Sequence, residues 1–112
     1  MELTTIIETL DLAVATTKGT LSREVSDVYV SDLLSDVLAH AEENDLWVTL
    51  QTHPNIVAVA SMKDLSGIVL VNGRTPEDET LLKANEEEIP IMTTEMRAFK
   101  LAGKLYGLLG AE

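Results

Sequence analysis

The chain has 112 residues, 46% of them hydrophobic, with 19 acidic against eight basic side chains and a formal net charge of −11. That hydrophobic share suits a single packed domain over residues 1–112 and argues against disorder, while the acidic balance is wrong for a surface that must meet the phosphates of nucleic acid or lipid. Cysteine is absent, which excludes disulfides, thiolate metal sites and a thiol nucleophile.

The longest unbroken apolar run is Ile56–Ala60, far short of the ~20 residues of a membrane helix. Met1-Glu2-Leu3 opens no basic-then-apolar leader, so a cytoplasmic protein is expected.

In chain order, Leu3–Leu10 reads as a short helix with Thr5-x-x-Glu8 as a capping box and Ile6, Ile7 and Leu10 turned inward. Leu12–Ala15 reads as a short strand, Thr16–Ser22 as a glycine-containing turn, and Val25–Val30 as an alternating strand. Ser31 is placed to cap a helix running to about Glu43, with Leu33, Leu34, Val37, Leu38 and Ala41 inward. From Asn44-Asp45 onward the pattern is strand then helix, repeated: strand Leu46–Leu50, helix Pro54–Lys63, strand Gly67–Val71, helix Pro76–Glu88, strand Ile89–Met92, helix Thr94–Leu109. Connections of this length suit parallel βαβ crossovers and are too long for hairpins. The predicted fold is α/β: three layers, a largely parallel sheet of four or five strands, helices on both faces. Trp47 and Thr49 face one side of their strand, and Trp47 is expected in the core with a partner for its indole N–H.

Parallel strands bring the loops that follow them to one sheet edge, where open α/β sheets bind ligands. This makes Gln51, Thr52, His53, Asn55, Asn72, Gly73, Arg74, Thr93 and Thr94 candidates for a small-molecule site. Helix N-termini and threonine hydroxyls would supply donors, and Arg74 a charge for phosphate or carboxylate. Simple helix capping by Thr75-Pro76-Glu77-Asp78 is the competing reading. No glycine-rich phosphate loop is present, so nucleoside triphosphate hydrolysis is not expected.

Asp32, Asp36 and His40 recur every four residues, which would place them on one helix face as weak candidates for a divalent metal; a solvated polar face is the plainer reading. His53, an imidazole in a candidate ligand loop, could act as an acid or base, but no nucleophile motif accompanies it and a local loop hydrogen bond explains it as well. No catalytic residue and no cofactor are assigned.

The helix over 54–63 is apolar nearly all round, and the last helix carries a second stripe beyond the one a small domain needs. Ile56, Val59, Met62, Met96, Phe99, Gly103 and Tyr106 are therefore expected at the interface of a closed two-fold homodimer.

The segments Val30–Leu38, Asp45–Ala60, Asn72-Gly73-Arg74, Ile89-Pro90-Ile91 and Leu101–Tyr106 resemble stand-alone members of the DRTGG domain family over essentially the whole chain. The five letters that name the family do not occur. The resemblance implies a fold similar to the N-terminal domain of HPr kinase/phosphorylase. It also implies an accessory, often dimer-forming role, as beside the CBS domains of regulated pyrophosphatases or the catalytic part of some phosphotransacetylases. Nothing in the 112 residues supplies a kinase, pyrophosphatase or acyltransferase domain, so those activities are not expected of them. The expected function is a non-catalytic regulatory or interaction module, a homodimer that senses a small anionic metabolite or nucleotide or docks onto a partner enzyme. The alternative is a small metal-assisted enzyme using Asp32, Asp36, His40 or His53.

Overall fold

Four parallel strands follow one another across the sheet in chain order, and a fifth, antiparallel strand borders the last of them. The computed structural model describes residues 1–110. Its elements are α1 (Leu3–Leu10), β1 (Ala13–Val14), β2 (Asp27–Val30), α2 (Leu34–His40), β3 (Asp45–Thr49), α3 (Asn55–Lys63), β4 (Gly67–Leu70), α4 (Asp78–Glu87), β5 (Ile91–Thr93) and α5 (Ala98–Leu109). The sheet order is β1-β5-β4-β3-β2. The three-layer α/β architecture therefore stands as expected from the sequence.

The register explains why the middle of each central strand is apolar on both faces. Tyr29, Trp47, Ile68 and Ile91 lie side by side on one face, and Val30, Val48, Val69 and Met92 on the other. On the first face α2, α3 and α4 bury Val37, Ile56, Val57, Val59, Ala60 and Ala84 against Trp47, Ile68, Leu70 and Ile91. On the second face α1 and α5 bury Leu3, Ile6, Leu101 and Leu105 against Leu46, Val48, Val69 and Met92. With both faces covered, the middle of a parallel sheet is apolar on both sides, and β3 and β4 are buried end to end, with polar residues in β3 only at its ends, Asp45 and Thr49. Trp47 is fully buried and its Nε1–H donates to the Ser31 carbonyl at 2.8 Å.

Several boundaries differ from the sequence reading for local reasons. Helix α1 begins at Leu3 with no side-chain cap, so Thr5 and Glu8 lie inside it and form no capping box. Val25 precedes the strand, yet its N–H donates to the Met1 carbonyl and its side chain is buried. Helix α2 is much shorter than Ser31 to Glu43: Ser31 Oγ accepts from the Leu33 N–H, the first helical residue is Leu34, and Ala41 is already extended. Leu33 is consequently 64% exposed and Leu38 lies at the surface, so neither is inward. Helices α4 and α5 start at Asp78 and Ala98 rather than at Pro76 and Thr94, because residues 72–77 and 94–97 are held as loops by bonds to each other and to neighbouring segments.

No helix among the described residues is long and apolar enough to cross a membrane.

Candidate functional site

Strand order decides where a crevice can form. Right-handed crossovers that step in one direction lay successive helices on the same face, and α2, α3 and α4 do share one face. The chain then reverses: α5, after β5, lies on the other face. The loop after β4 and the loop after β5 therefore leave adjacent strands toward opposite faces, which opens the sheet edge between them.

A cavity of about 390 Å³ occupies that opening, within the range of small-molecule sites. Gly73, Arg74 and Thr75 line it from the post-β4 loop, and Thr93, Thr94, Glu95 and Met96 from the end of β5. The third wall comes from Leu10, Asp11 and Ala13, carried there because β1 pairs antiparallel with β5, Ala13 opposite Thr93. The two loops are locked together: the Asn72 N–H donates to the Met96 carbonyl and the Gly73 N–H to the Thr94 carbonyl, each at 2.9 Å. Asn72 and Gly73 both have positive φ, 63° and 67°. A Cβ on Gly73 would lie 2.8 Å from Glu95 Oε1, the end of an exposed side chain that can move, so it is the positive φ that favours glycine there.

Of the nine residues expected at the site, Gly73, Arg74, Thr93 and Thr94 line the cavity and Asn72 ties its loops. Gln51, Thr52, His53 and Asn55 do not join them, because the loops after β3 and β4 both turn to the α3–α4 face and leave no opening between them. Their groups are engaged elsewhere. Gln51 Nε2 donates to the Asp32 carbonyl, and the Thr52 carbonyl accepts from the Thr80 hydroxyl at 2.7 Å. His53 Nδ1 accepts from the Asn55 N–H at 3.1 Å, a local loop bond at the start of α3. Asn55 lines a different groove, about 370 Å³, between α3 and α4. Asp11, Glu95 and the wall from residues 10–13 escaped the sequence reading, since nothing local shows that β1 pairs with β5.

The helix N-termini do not supply the expected anion cradle. Helix α4 opens with Glu77, Asp78 and Glu79, whose charges disfavour an anion at that end. The Asn72, Gly73 and Arg74 N–H groups all donate to backbone carbonyls. Arg74 is left as the one cation lining the cavity.

Asp32, Asp36 and His40 do not share a helix face, because Asp32 precedes α2. Asp32 Oδ1 accepts from the Thr49 hydroxyl and from the Leu50 N–H. Asp36 instead accepts from the Tyr29 hydroxyl at 2.9 Å and pairs with His40 Nδ1 at 3.0 Å. Hydrogen bonds from Ser31 and Tyr29 hold the Asp36 carboxyl below the usual carboxylate range, while loss of hydration and the Asp36 carboxylate push the Tyr29 phenol up. Among the described residues no group of three or more His, Cys, Asp or Glu is arranged to hold a metal ion.

The expected interface residues also divide. Ile56 and Val59 are buried inside the chain, so α3 does not present them to a second subunit, and Met96 is half-buried at the cavity. Met62 is exposed at the α3–α4 groove. On α5, Phe99 is 92% and Tyr106 64% exposed, with exposed Gly103 between them. Tyr106 also borders a groove of about 190 Å³ against Val28 and Val30 of the outer strand β2.

The family model of the DRTGG domain matches residues 5–108. A similar solved structure is the CBS and DRTGG domains of the regulatory region of Clostridium perfringens pyrophosphatase, complexed with the activator diadenosine tetraphosphate. It superposes with a TM-score of 0.66 at 18% identity, over 91% of this chain and 44% of that one. The chain thus spans less than half of that regulatory region, and the likeness concerns the fold. No curated protein matches.

Proposed function

Because the chain belongs to the DRTGG domain family, we propose that it is a non-catalytic regulatory module. It binds a small metabolite bearing an anionic group and passes its occupancy to a partner enzyme in the cytoplasm. The observation that carries this reading is the cavity at the one place where adjacent post-strand loops part to opposite faces, with Arg74 at its rim. The neighbouring fold belongs to the regulatory region of a pyrophosphatase and was solved with an activator, which supports a sensing role over turnover. The metal-assisted alternative loses support from the engagement of Asp32 by Thr49 and Leu50.

The module acts as a homodimer. With Ile56 and Val59 withdrawn into the core, the surface that supports this is the outward strip of α5, Phe99, Gly103 and Tyr106. A thermal-shift panel of nucleotides, phosphates, amino acids and divalent metals tests the ligand, since a compound that binds only the native state raises its apparent stability. A shift with an anionic metabolite that disappears in Arg74→Ala is expected. No shift with any compound overturns the ligand reading, and a monomer by light scattering at micromolar concentration overturns the dimer.

A further inference from the structure

We infer that the cavity between the post-β4 and post-β5 loops takes a zwitterion, a small molecule with a carboxylate at one point and an ammonium at another, the chemistry of a free α-amino acid. This deepens the ligand reading above and rests on it.

The charges lining the cavity are one cation and two anions: Arg74, Asp11 and Glu95. The ion pairs among the described residues are Met1–Glu24, Arg23–Asp64 and His40–Asp36, so none of the three cavity charges is paired within the protein. Yet Glu95 is close to the arginine in the chain fold. Its carboxylate is seated against Gly73, the residue before Arg74, and would meet a Cβ there at 2.8 Å. Arranged around one cavity, these exposed groups offer opposite charges at separate points, and a ligand carrying both complementary charges satisfies them together.

A purely anionic ligand fares worse on the same geometry. It gains Arg74 but faces Asp11 and Glu95, whose like charge repels it. The Asn72, Gly73 and Arg74 N–H groups do not offset this, because they are already spent on carbonyls. The apolar lining from Leu10, Ala13 and Met96 adds a surface for an aliphatic side chain. The ligand class is accordingly an amino acid with an apolar side chain, its carboxylate on Arg74 and its ammonium between Asp11 and Glu95.

The test is calorimetric titration and thermal shift of the full chain. The probes are the common amino acids, N-acetyl-leucine and 3-methylbutylamine as single-charge analogues of leucine, and inorganic phosphate and AMP as anions. Both variants, Arg74→Gln and Glu95→Gln, alter surface residues, and circular dichroism checks that they fold. At least one apolar amino acid is expected to bind, with neutralisation of either end of leucine abolishing its binding. Arg74→Gln and Glu95→Gln are each expected to weaken the amino acid tenfold or more. The two readings separate on the sign of Glu95→Gln. If phosphate or AMP binds, weakened by Arg74→Gln and tightened by Glu95→Gln, the site stands and the zwitterion is overturned. If no amino acid binds, the inference fails, and if no probe of any class binds, the ligand reading fails with it.

Discussion

The carboxylate of Asp32 accepts two hydrogen bonds from the end of β3, one from the Thr49 hydroxyl at 2.9 Å and one from the Leu50 N–H at 2.7 Å. It thereby staples the loop after β2 to the exit of its neighbour. Thr49 is 2% exposed, so removing its acceptor leaves the buried O–H without a partner to donate to, although its oxygen still accepts from the Gln51 N–H. Asp32→Ala is expected to lower stability by about 1–3 kcal/mol, the cost of a buried donor left unmade together with the lost bond to the Leu50 N–H. Urea denaturation reads this directly, and an unchanged midpoint would mean the staple contributes nothing.

Helix α3 and helix α5 are distinguished by a pair of truncations. Ile56 is fully buried beneath the sheet, so Ile56→Ala should cost about 2–5 kcal/mol. Phe99, almost wholly exposed, should change monomer stability by no more than about 0.5 kcal/mol when cut to alanine. Sedimentation should instead show Phe99→Ala weakening self-association, an effect that protein concentration reveals and the denaturation midpoint of a monomer does not.

Gly103 gives a sharper version of the same test. A Cβ there meets nothing within 4 Å inside the chain, and glycine costs a helix interior about 1 kcal/mol relative to alanine. Gly103→Ala is expected to stabilise the isolated fold by about that amount while loosening any dimer that relies on close helix approach. A variant that is more stable and equally associated would place the contact elsewhere.

Burial pushes the Asp45 carboxyl up, partly offset by the Glu42 N–H donating to its Oδ2 at 2.8 Å. A folded-state value above the unfolded one means that the fold holds this proton more tightly. The associated stability is present below the unfolded value and is lost as pH rises through the folded one. Asp45→Asn keeps an oxygen acceptor and removes the charge. Denaturation between pH 4 and 8 should therefore show the variant gaining on the wild type as pH rises. Asp36 has the opposite sign: its carboxyl is held low, so its contribution is present above the unfolded value and fades as pH falls through the folded one.

Gly19 sits at φ 104°, and a Cβ would come within 2.9 Å of the Glu88 carbonyl oxygen. Both the backbone conformation and the contact oppose any side chain, so Gly19→Ala should lower stability by about 1–3 kcal/mol. Calorimetric melting temperatures check it, and wild-type behaviour would mean that the turn over Glu88 and Pro90 gives way easily.

Period and composition made most of this fold legible. The strands from residue 45 onward announce themselves as short apolar runs between helix-forming stretches, and their spacing forced parallel crossovers, as β3, β4 and β5 show. Apart from local shifts at helix ends, the failures trace to pairing and packing between distant segments. Asp32 looked helical by its spacing with Asp36 and His40, but its bonds to Thr49 and Leu50, across 17 and 18 residues, hold it outside α2. Ile56 and Val59 looked surplus to one domain because α3 was judged alone, whereas α2, α4 and the sheet enclose it. The candidate site was half right for the same reason. Which loops open a crevice depends on which face each following helix takes, and only α5 changes face.

The shortest strand carries a consequence out of proportion to its two residues. By zipping Ala13 and Val14 onto β5, it brings Leu10, Asp11 and Ala13 to the side of the cavity. A bound molecule would brace that wall, adding to the hold that Leu3, Ile6 and Leu12 already have in the core. Protease resistance of the amino-terminal stretch should thus track occupancy, turning a chemical signal into a mechanical one at the far end of the chain from α5.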